Sequence, residues 1–484
     1  MKKATVIGSG FSSLSAACYL AKAGYEVHVF EKNEQLGGRA RQYKNEGFSF
    51  DMGPTWYWMP DVFEKFFQDF GKSPDQYYEL EKLGPAYRVY FGKDEYVDIA
   101  DNLADIYKTF ESIEIGSGVA LEKFISKAAS NYDIAIKDLV YNPGVSPLEL
   151  VNRTTAQEIK QFVTTISSEV KAKFKHPQLR QILEFPVLFL GAKPQDTPAF
   201  YSFMNYADFG LGTWYPKGGM KSVVDGIVTL AEELGITFHT DSNVTEIKVS
   251  QGTARSVVIN GQEVKSELVV SGADYQHSET LLAEKYRAYS QKYWDKKVMA
   301  PSSLLFYVGF DKKLKNVLHH TLFFDTSFDD HAIEIYDNPA WPKEPLFYAS
   351  FPSMTDETIA PEGKEAAVFL IPLATDLEDN QQLRDKYFDI IMSRLENLTG
   401  QMVKEDILFS TSYCVNDFKD DYNSFKGNAY GMANTLFQTA FLRPKLKSRK
   451  VKQLYFTGQL TVPGPGVPPA LISGKLVSDL INKN

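Results

Sequence analysis

Cysteine is nearly absent from this chain. Cys18 and Cys414 are its two thiols among 484 residues, and positions so far apart give no CxxC pair, no disulfide framework and no thiolate metal site. Histidine is scarce as well, at 7. His319-His320 and His331 lack the ligand spacing of a metal centre, so no metal is expected. No apolar run approaches the roughly 20 residues that cross a bilayer. Positive charge is in deficit, with 52 Lys and Arg against 61 Asp and Glu and a formal net charge of −9. That balance argues against nucleic acid as a partner, because phosphate binding needs clustered cations. Internal repeats and low-complexity tracts are missing too. The N-terminus, two lysines followed by apolar and small residues, imitates a secretory signal. Cleavage near Ala16-Ala17 would delete the glycine turn described next, so that reading is rejected and a reducing cytoplasm is expected.

What the chain has in plenty is aromatic side chain, 34 Phe and 27 Tyr, within a composition that is 44% hydrophobic and 23% charged. Such numbers describe a folded globular protein of two or three structural units. The aromatics suit large cores, an apolar ligand tunnel, or both.

Both ends of the sequence carry nucleotide-binding signals. Residues 4–7 read as a buried strand, 11–23 as a helix ending at Gly24, and Val27–Phe30 as a second strand, which together make a βαβ unit. Between the first strand and the helix lies Gly8-Ser9-Gly10-Phe11-Ser12-Ser13, a G-x-G-x-x-G fingerprint with Ser at its third position. Gly8 permits the turn, and Gly10 lets backbone approach a pyrophosphate. Phe11 and Ser12 open a helix whose N-terminus favours anions. Glu31 ends the second strand with Lys32 beside it, placed to accept hydrogen bonds from ribose hydroxyls and to disfavour a 2′-phosphate. Downstream, Gly37 and Gly38 allow close approach to a cofactor, and Arg39 is set to reach a phosphate oxygen or a flavin edge. At the far end, strand 454–456 leads into Gly458-Gln459 and a Pro-Gly loop containing Gly466, Val467 and Pro468, followed by an apolar helix. A dinucleotide gripped at one end with a glycine-rich return at the other points to FAD and to redox chemistry.

The interior reads as follows. Residues 61–70 and much of 102–183 are expected to be helical, broken at Pro143 and Pro147. Strands are expected at 236–239, 244–249, 256–259 and 263–270, the last two flanking the Asn260-Gly261 turn. Further strands are expected at 303–310, 346–351 and 366–371, and a helix at 374–398. The expected domains are an FAD-binding unit assembled from 1–80, 213–275 and 450–484, a helical lid at 100–212, and a substrate unit at 280–445.

These motifs carry a resemblance. The chain resembles the phytoene desaturase type of carotenoid desaturase, within the flavin amine-oxidase-like superfamily. Gly47–Thr55 is similar to the family's F-D-x-G-P-T, Trp214–Met220 to W-F-P-x-G-G, Ser271–Asp274 to x-N-A-D, and Thr461–Pro468 to T-H-P-G-x-G-x-P. Ser13 replaces the third glycine, and Val462 stands where many relatives carry His, which removes a proton-transfer group from that position. The resemblance implies an α/β fold: a Rossmann-like FAD-binding domain of the amine-oxidase (GR2) type, a mixed α+β substrate domain and a helical membrane-facing lid. It places Val244 against the adenine through its backbone, while the residues themselves read as a turn at Gly53, Pro54 and Thr55 that lets backbone pass close to the flavin ring and a Gly218-Gly219 loop suited to the same ring. It implies desaturation of phytoene to lycopene through phytofluene, ζ-carotene and neurosporene, with electrons passing to oxygen or a quinone.

A C40 polyene offers no charge and no hydrogen-bond handle, so its site must be an apolar tunnel. Trp56-Tyr57-Trp58-Met59, Phe185–Leu190 and Phe200–Met204 suit the walls. A water-insoluble substrate also implies peripheral attachment to the inner face of the cytoplasmic membrane. Phe110, Ile113, Val119, Leu121 and Phe124 of the helical block are candidate insertion residues. Glu149 and Arg153, at i and i+4 of an expected helix, are candidate proton-transfer groups; a solvated salt bridge is the other reading, and solvent or a flavin atom could accept the proton. Three alternatives stay open: action on a later or modified carotenoid, including isomerisation; a non-catalytic prenyl-lipid escort; and an amine oxidase.

Overall fold

The computed structural model describes residues 2–146, 149, 159–435 and 437–483. Strand Lys3–Ile7 lies at the centre of a five-stranded parallel sheet. Its neighbours are Glu26–Phe30 and Thr237–His239 on one side, Leu268–Ser271 and Leu454–Phe456 on the other. Val6, Val29, Val269 and Val270 are wholly buried, as befits strands covered on both faces. One cover is helical. Helix Phe11–Lys22 packs against Met220–Glu233 and against the C-terminal helix Val467–Asn482. A Cβ at Gly474 would lie 2.5 Å from the Ser12 carbonyl oxygen and 2.6 Å from the Ala16 nitrogen, so glycine is what lets the first and last helices touch backbone to backbone. The other cover is an antiparallel meander, Val244–Ser250, Thr253–Ile259 and Gln262–Lys265. Its Ile247 and Val257 share an apolar core with Ile7, Phe30 and Val269.

A second sheet has seven strands, in the order Ile407–Tyr413, Ser302–Phe310, Glu365–Leu373, Phe347–Ser350, His320–Phe323, Tyr87–Gly92, Glu95–Ile99. Side chains alternate across it. Leu304, Phe306 and Val308 face a core shared with helix Gln381–Thr399, whereas Ser303 and Leu305 line the cavity described below. A helical block follows, Leu103–Ile113, Ser117–Ile134, Ile159–Val163, Ile166–Lys173, Pro177–Glu184 and Phe203–Phe209, of which Phe162, Phe203 and Met204 reach that cavity. The Asn102 side chain accepts from Asp105 N and that of Thr165 from Ser168 N, which satisfies two helix starts.

Several sequence expectations are corrected. The run 263–270 is two strands in different sheets. The alternating Gln262–Lys265 closes the meander and the fully buried Leu268–Ser271 enters the parallel sheet. The helix expected from 374 begins at Gln381, where Asn380 caps it by accepting from Leu383 N. Strands Tyr87–Gly92, Glu95–Ile99, His320–Phe323 and Ile407–Tyr413 and the hairpin Gln42–Asn45/Phe48–Asp51 add to those expected from the sequence. Of the residues offered for membrane insertion, Phe110, Leu121 and Phe124 are buried in the core, Ile113 is half-buried and Val119 alone of the five is exposed. Pro147 lies outside the described residues. Among the described residues no helix is long and apolar enough to cross a membrane.

Candidate functional site

The site is built outward from the turn after the first strand. Gly8 has φ +86° and its N–H donates to the Phe30 carbonyl at 2.8 Å, locking the turn to the second strand. Gly10 precedes helix Phe11–Lys22 with no side-chain cap, so the first helical N–H groups stay available. A Cβ at Gly10 would meet nothing within 4 Å, although the helix behind it is densely packed. Gly38 (φ +58°) stands against it, and a Cβ there would be 3.0 Å from Gly10 Cα. Gly37 N donates to the Ser9 carbonyl and hydroxyl oxygens, each at 3.1 Å. The paired glycines therefore dock on the phosphate turn itself. Ser13 fits in place of a third glycine because Gly272 has no side chain; a Cβ there would fall 2.0 Å from Ser13 Oγ.

The Glu31 carboxylate is buried and fully engaged. One oxygen accepts from Ser9 N at 2.9 Å and Ser9 Oγ at 2.7 Å, the other from Asn33 N at 2.9 Å and Asn33 Nδ2 at 3.1 Å. To accept from a ribose, it must release Ser9 Oγ or Asn33 Nδ2. Arg39 is half-buried without a carboxylate ion pair. One of its Nη atoms donates to Ser424 Oγ and the Asn428 carbonyl, the guanidinium lies 5.0 Å from the Tyr422 ring centre, and its Nε has no acceptor. Burial holds its pKa below the ordinary arginine value. A half-buried cation with a buried spare donor is a ready partner for an anion.

From the other terminus, Gly458 (φ +109°) is tied through its N–H to Ser473 Oγ at 3.0 Å, and the Gln459 amide donates to Asn428 Oδ1. Gly466 precedes the final helix, where Pro468 and Pro469 carry no N–H and Ala470 N is taken by the Gly466 carbonyl. Val467 therefore supplies the free donor of that helix start.

Gly8, Gly10, Phe11, Ser12, Glu31, Lys32, Gly37, Gly38, Arg39, Gly53, Pro54, Thr55, Val244, Gly458, Gln459, Gly466, Val467 and Pro468 all line one cavity of about 630 Å³. Gly218 and Gly219 do not. A Cβ at Gly219 would be 2.6 Å from the Asp51 carboxylate, which accepts from Met220 N at 2.8 Å, so this motif seats a carboxylate on a helix start. Burial pushes Asp51 up to about 7.

The same cavity continues into an aromatic arm walled by Trp56, Trp58, Met59, Phe185, Phe200 and Phe203. Tyr57 turns away into the core and stacks on Phe63 at 4.2 Å. The arm also takes Tyr348 and His331, which no local motif announced, and His320 backs its wall. Trp56 stacks on His320 with ring centres 4.0 Å apart. His320 Nδ1 is 2.6 Å from the Tyr348 hydroxyl, which is 2.8 Å from Thr55 Oγ1. Burial drives His320 far below the usual histidine range and His331 down to about 4, so both rings are neutral near pH 7. Behind Trp58, its indole N–H donates to Thr213 Oγ1, and Tyr87 donates to Asp208, whose carboxyl burial raises to about 8.

Glu149 lines the cavity and closes its own loop, its carboxylate accepting from Gly144, Val145 and Ser146 N at 2.8, 2.9 and 3.2 Å. Arg153 lies outside the described residues. Val462 packs on that loop, 2.9 Å from where a Gly144 Cβ would stand. Among the described residues no cluster of three His, Cys, Asp or Glu side chains forms a metal-ligand set.

Comparison with known proteins agrees with this geometry. Residues 11–482 match the family model described as flavin-containing amine oxidoreductase. Over 481 residues, 99% of this chain and 97% of the relative, the sequence is 42% identical to the carotenoid 3,4-desaturase of Haloarcula japonica. The chain belongs to the carotenoid desaturases of the flavin-containing amine oxidoreductase family. It is also 30% identical to a 4,4′-diapophytoene desaturase (4,4′-diaponeurosporene-forming) of Staphylococcus haemolyticus, covering 98% of this chain and 97% of that one. An oxidoreductase of known structure from Methanosarcina mazei shares the fold, with a TM-score of 0.65 at 17% identity over 99% of this chain and 100% of that one.

A carotenoid desaturase of this family is a flavoprotein, and a flavin carried on a dinucleotide turn is FAD. The residues present fit it. The space above Gly10, the uncapped helix at Phe11, the spare Nε of Arg39 and the free Val467 N–H form a backbone-rich cradle for an anionic dinucleotide.

Proposed function

We propose that this carotenoid desaturase introduces 3,4 double bonds into a long acyclic C40 carotenoid, using FAD. The observation that carries the reading is the single cavity joining the glycine cradle to the aromatic arm. When bound, FAD supplies the two-electron oxidant for a CH–CH bond. The protein's part is to bind and orient a chain that has no polar anchor. Each buried CH₂ contributes about 0.8 kcal/mol, so apolar walls suffice for affinity. The arm keeps charged imidazole away from the reacting carbons, since His331 in its lining and His320 behind Trp56 are neutral at physiological pH. The ring faces of Trp56 and Phe185 are suited to an electron-poor allylic carbon. The 42% relative favours a late, end-directed step. Val462 makes the loop beside the cradle apolar and leaves proton acceptance to another group.

Desaturation of phytoene to lycopene is the second reading, supported by the sequence motifs and by the diapophytoene desaturase relative. Electrons would leave to oxygen or a quinone, and the protein would attach to the inner face of the membrane.

Incubating the yellow protein with lycopene and, separately, with phytoene tests the two readings. Each added conjugated double bond moves product absorption to the red, and chromatography resolves the pigments. Conversion of lycopene with phytoene untouched is the expected result. Phytoene turning to lycopene establishes the second reading, and a yellow protein inert towards both overturns the two together.

A further inference from the structure

Desaturation takes a hydride and a proton from neighbouring carbons. The flavin's oxidising power accounts for the hydride, and the proton needs an acceptor in the wall of the arm. Val462 offers none. Glu149 spends its carboxylate on three N–H groups of its own loop. His331 reaches the cavity with both ring nitrogens engaged: Nε2 donates to the Pro372 carbonyl at 2.9 Å, and Nδ1 accepts from Leu346 N at 3.1 Å. The Tyr201 hydroxyl pairs with another hydroxyl, Thr439 Oγ1, at 2.9 Å.

Tyr348 is placed differently. It lines the cavity, and its hydroxyl is 2.8 Å from Thr55 Oγ1 and 2.6 Å from His320 Nδ1. Thr55 belongs to the turn at Gly53, where a Cβ would fall 2.4 Å from the Arg39 carbonyl oxygen. Tyr348 therefore stands where the arm meets the glycine cradle. Hydrogen bonds donated by N–H run to about 2.7–3.2 Å, and those donated by O–H are shorter. The 2.6 Å separation thus marks Tyr348 as the donor and His320 Nδ1 as the acceptor. With its hydrogen spent there, Tyr348 accepts from the Thr55 hydroxyl and its oxygen is left as an acceptor on the wall.

Behind this oxygen, the buried His320 ring stacks on Trp56 with ring centres 4.0 Å apart and planes 10° from parallel. Its Nε2 has no hydrogen-bond partner. Burial opposes a charge on this ring, but an indole face stabilises a cation lying against it. The proton donor is also a polyene cation, a far stronger acid than imidazolium.

We propose that Tyr348 accepts the substrate proton while passing its own to His320, with Thr55 holding the tyrosine oxygen in place. One C–H bond gives up its hydrogen with the electron pair, as hydride to the flavin. The neighbouring C–H bond then breaks and its electron pair closes the new C=C bond. Its proton goes to Tyr348 Oη, and the tyrosine's hydroxyl proton moves to His320 Nδ1. Charge balances in this second step, because the polyene cation becomes neutral as His320 becomes an imidazolium. His320 returns the proton by the same route once product has left. The proposal rests on the reading of the arm as a polyene site, and it holds for lycopene and phytoene alike.

Single-turnover desaturation in detergent micelles without oxygen tests it, using the carotenoid that the parent converts and taking rates per bound FAD. Tyr348→Phe, which removes one oxygen atom, should turn over on the order of a hundred-fold more slowly, with carotenoid Kd and FAD affinity as in the parent. His320→Gln should lose a similar factor, and the double variant should be no slower than the slower single, as for groups acting as one unit. The parent should slow in heavy water, and Tyr348→Phe should lose that isotope effect, a response that damaged packing does not produce. Independently of turnover, nitrogen NMR of histidine-labelled holoprotein should show His320 as the neutral Nε2–H tautomer, with an Nδ1 resonance that shifts in Tyr348→Phe. A Tyr348→Phe rate equal to the parent's, a loss confined to carotenoid Kd, or a His320 proton on Nδ1 each overturns the proposal. A parent inert towards both carotenoids overturns the polyene reading and the proposal with it, whereas an active parent with an equally active Tyr348→Phe removes the proposal alone.

Discussion

The two ends of the cavity are made of different material. The nucleotide end is backbone: glycines at 8, 10, 37, 38, 458 and 466, uncapped helix starts, and side chains such as Glu31 whose oxygens are spent on the turn itself. The polyene end is side chain. Trp56, Phe185, Phe200, His331, Tyr348 and Leu370 come from distant stretches and meet through packing. An anion needs N–H groups at fixed positions, which a tight local turn supplies. An apolar chain needs area, which no local segment can supply. The backbone end should therefore be brittle to single atoms and the side-chain end tolerant.

The largest expected effect tests that brittleness. Gly10 has φ −68° and an added Cβ meets nothing, so Gly10→Val should fold normally yet intrude on the dinucleotide. Loss of two charge-assisted hydrogen bonds corresponds to about 3 kcal/mol or more, and FAD affinity, read by fluorescence titration of the apoprotein, should drop at least ~100-fold with an unchanged apoprotein Tm. A variant that binds FAD like the parent would break the comparison.

Next comes Gly272→Ala, which drives a methyl into Ser13 Oγ. Overpacking of this kind costs about 1–3 kcal/mol, measurable as a lower urea midpoint. The second change Ser13→Gly should restore it, because the next neighbour, Thr457 Cγ2, is 3.4 Å away. Failure of the rescue would place the conflict elsewhere.

The third prediction concerns pH at the polyene end. Asp208, raised to about 8 by burial, holds its proton in the folded state at pH values where the unfolded chain has released it. The folded state binds more protons, so stability falls as pH rises from about 4 towards 8. Asp51, raised to about 7, adds the same sign over a narrower range. Asp208→Asn should flatten the upper part of that slope in denaturation midpoints taken across the window. An unchanged slope would remove Asp208 from the account.

The smallest effect is expected at Glu149. Glu149→Gln keeps the shape of the loop tie to Gly144, Val145 and Ser146 and weakens it, so turnover under identical lipid conditions should slow only modestly. Rates equal to the parent's would remove Glu149 from proton transfer, and a collapse by orders of magnitude would make it the base.

Legibility in the sequence followed the same division. The strand–turn–helix at 3–22, the position of Glu31 and the glycine return at 458–466 could be read directly, because glycine at a positive φ and an apolar strand leave local marks. Gly218-Gly219 misled, since a glycine pair looks the same whether it makes room for a flavin or for the Asp51 carboxylate. The aromatic runs were located but not oriented: Tyr57 and Trp58 are adjacent, and one faces the core while the other faces the cavity. His320 and Tyr348 went unread because their meeting depends on cross-strand pairing of 320–323 with 347–350.

The sequence by itself determined that two glycine-marked ends grip a dinucleotide and that enough aromatic surface exists to hold an apolar substrate, because backbone conformation and composition are local properties. Only the tertiary structure decided which aromatics form the wall and which expected insertion residues are buried. Those outcomes depend on contacts between residues hundreds of positions apart, and such contacts leave no mark on either partner alone.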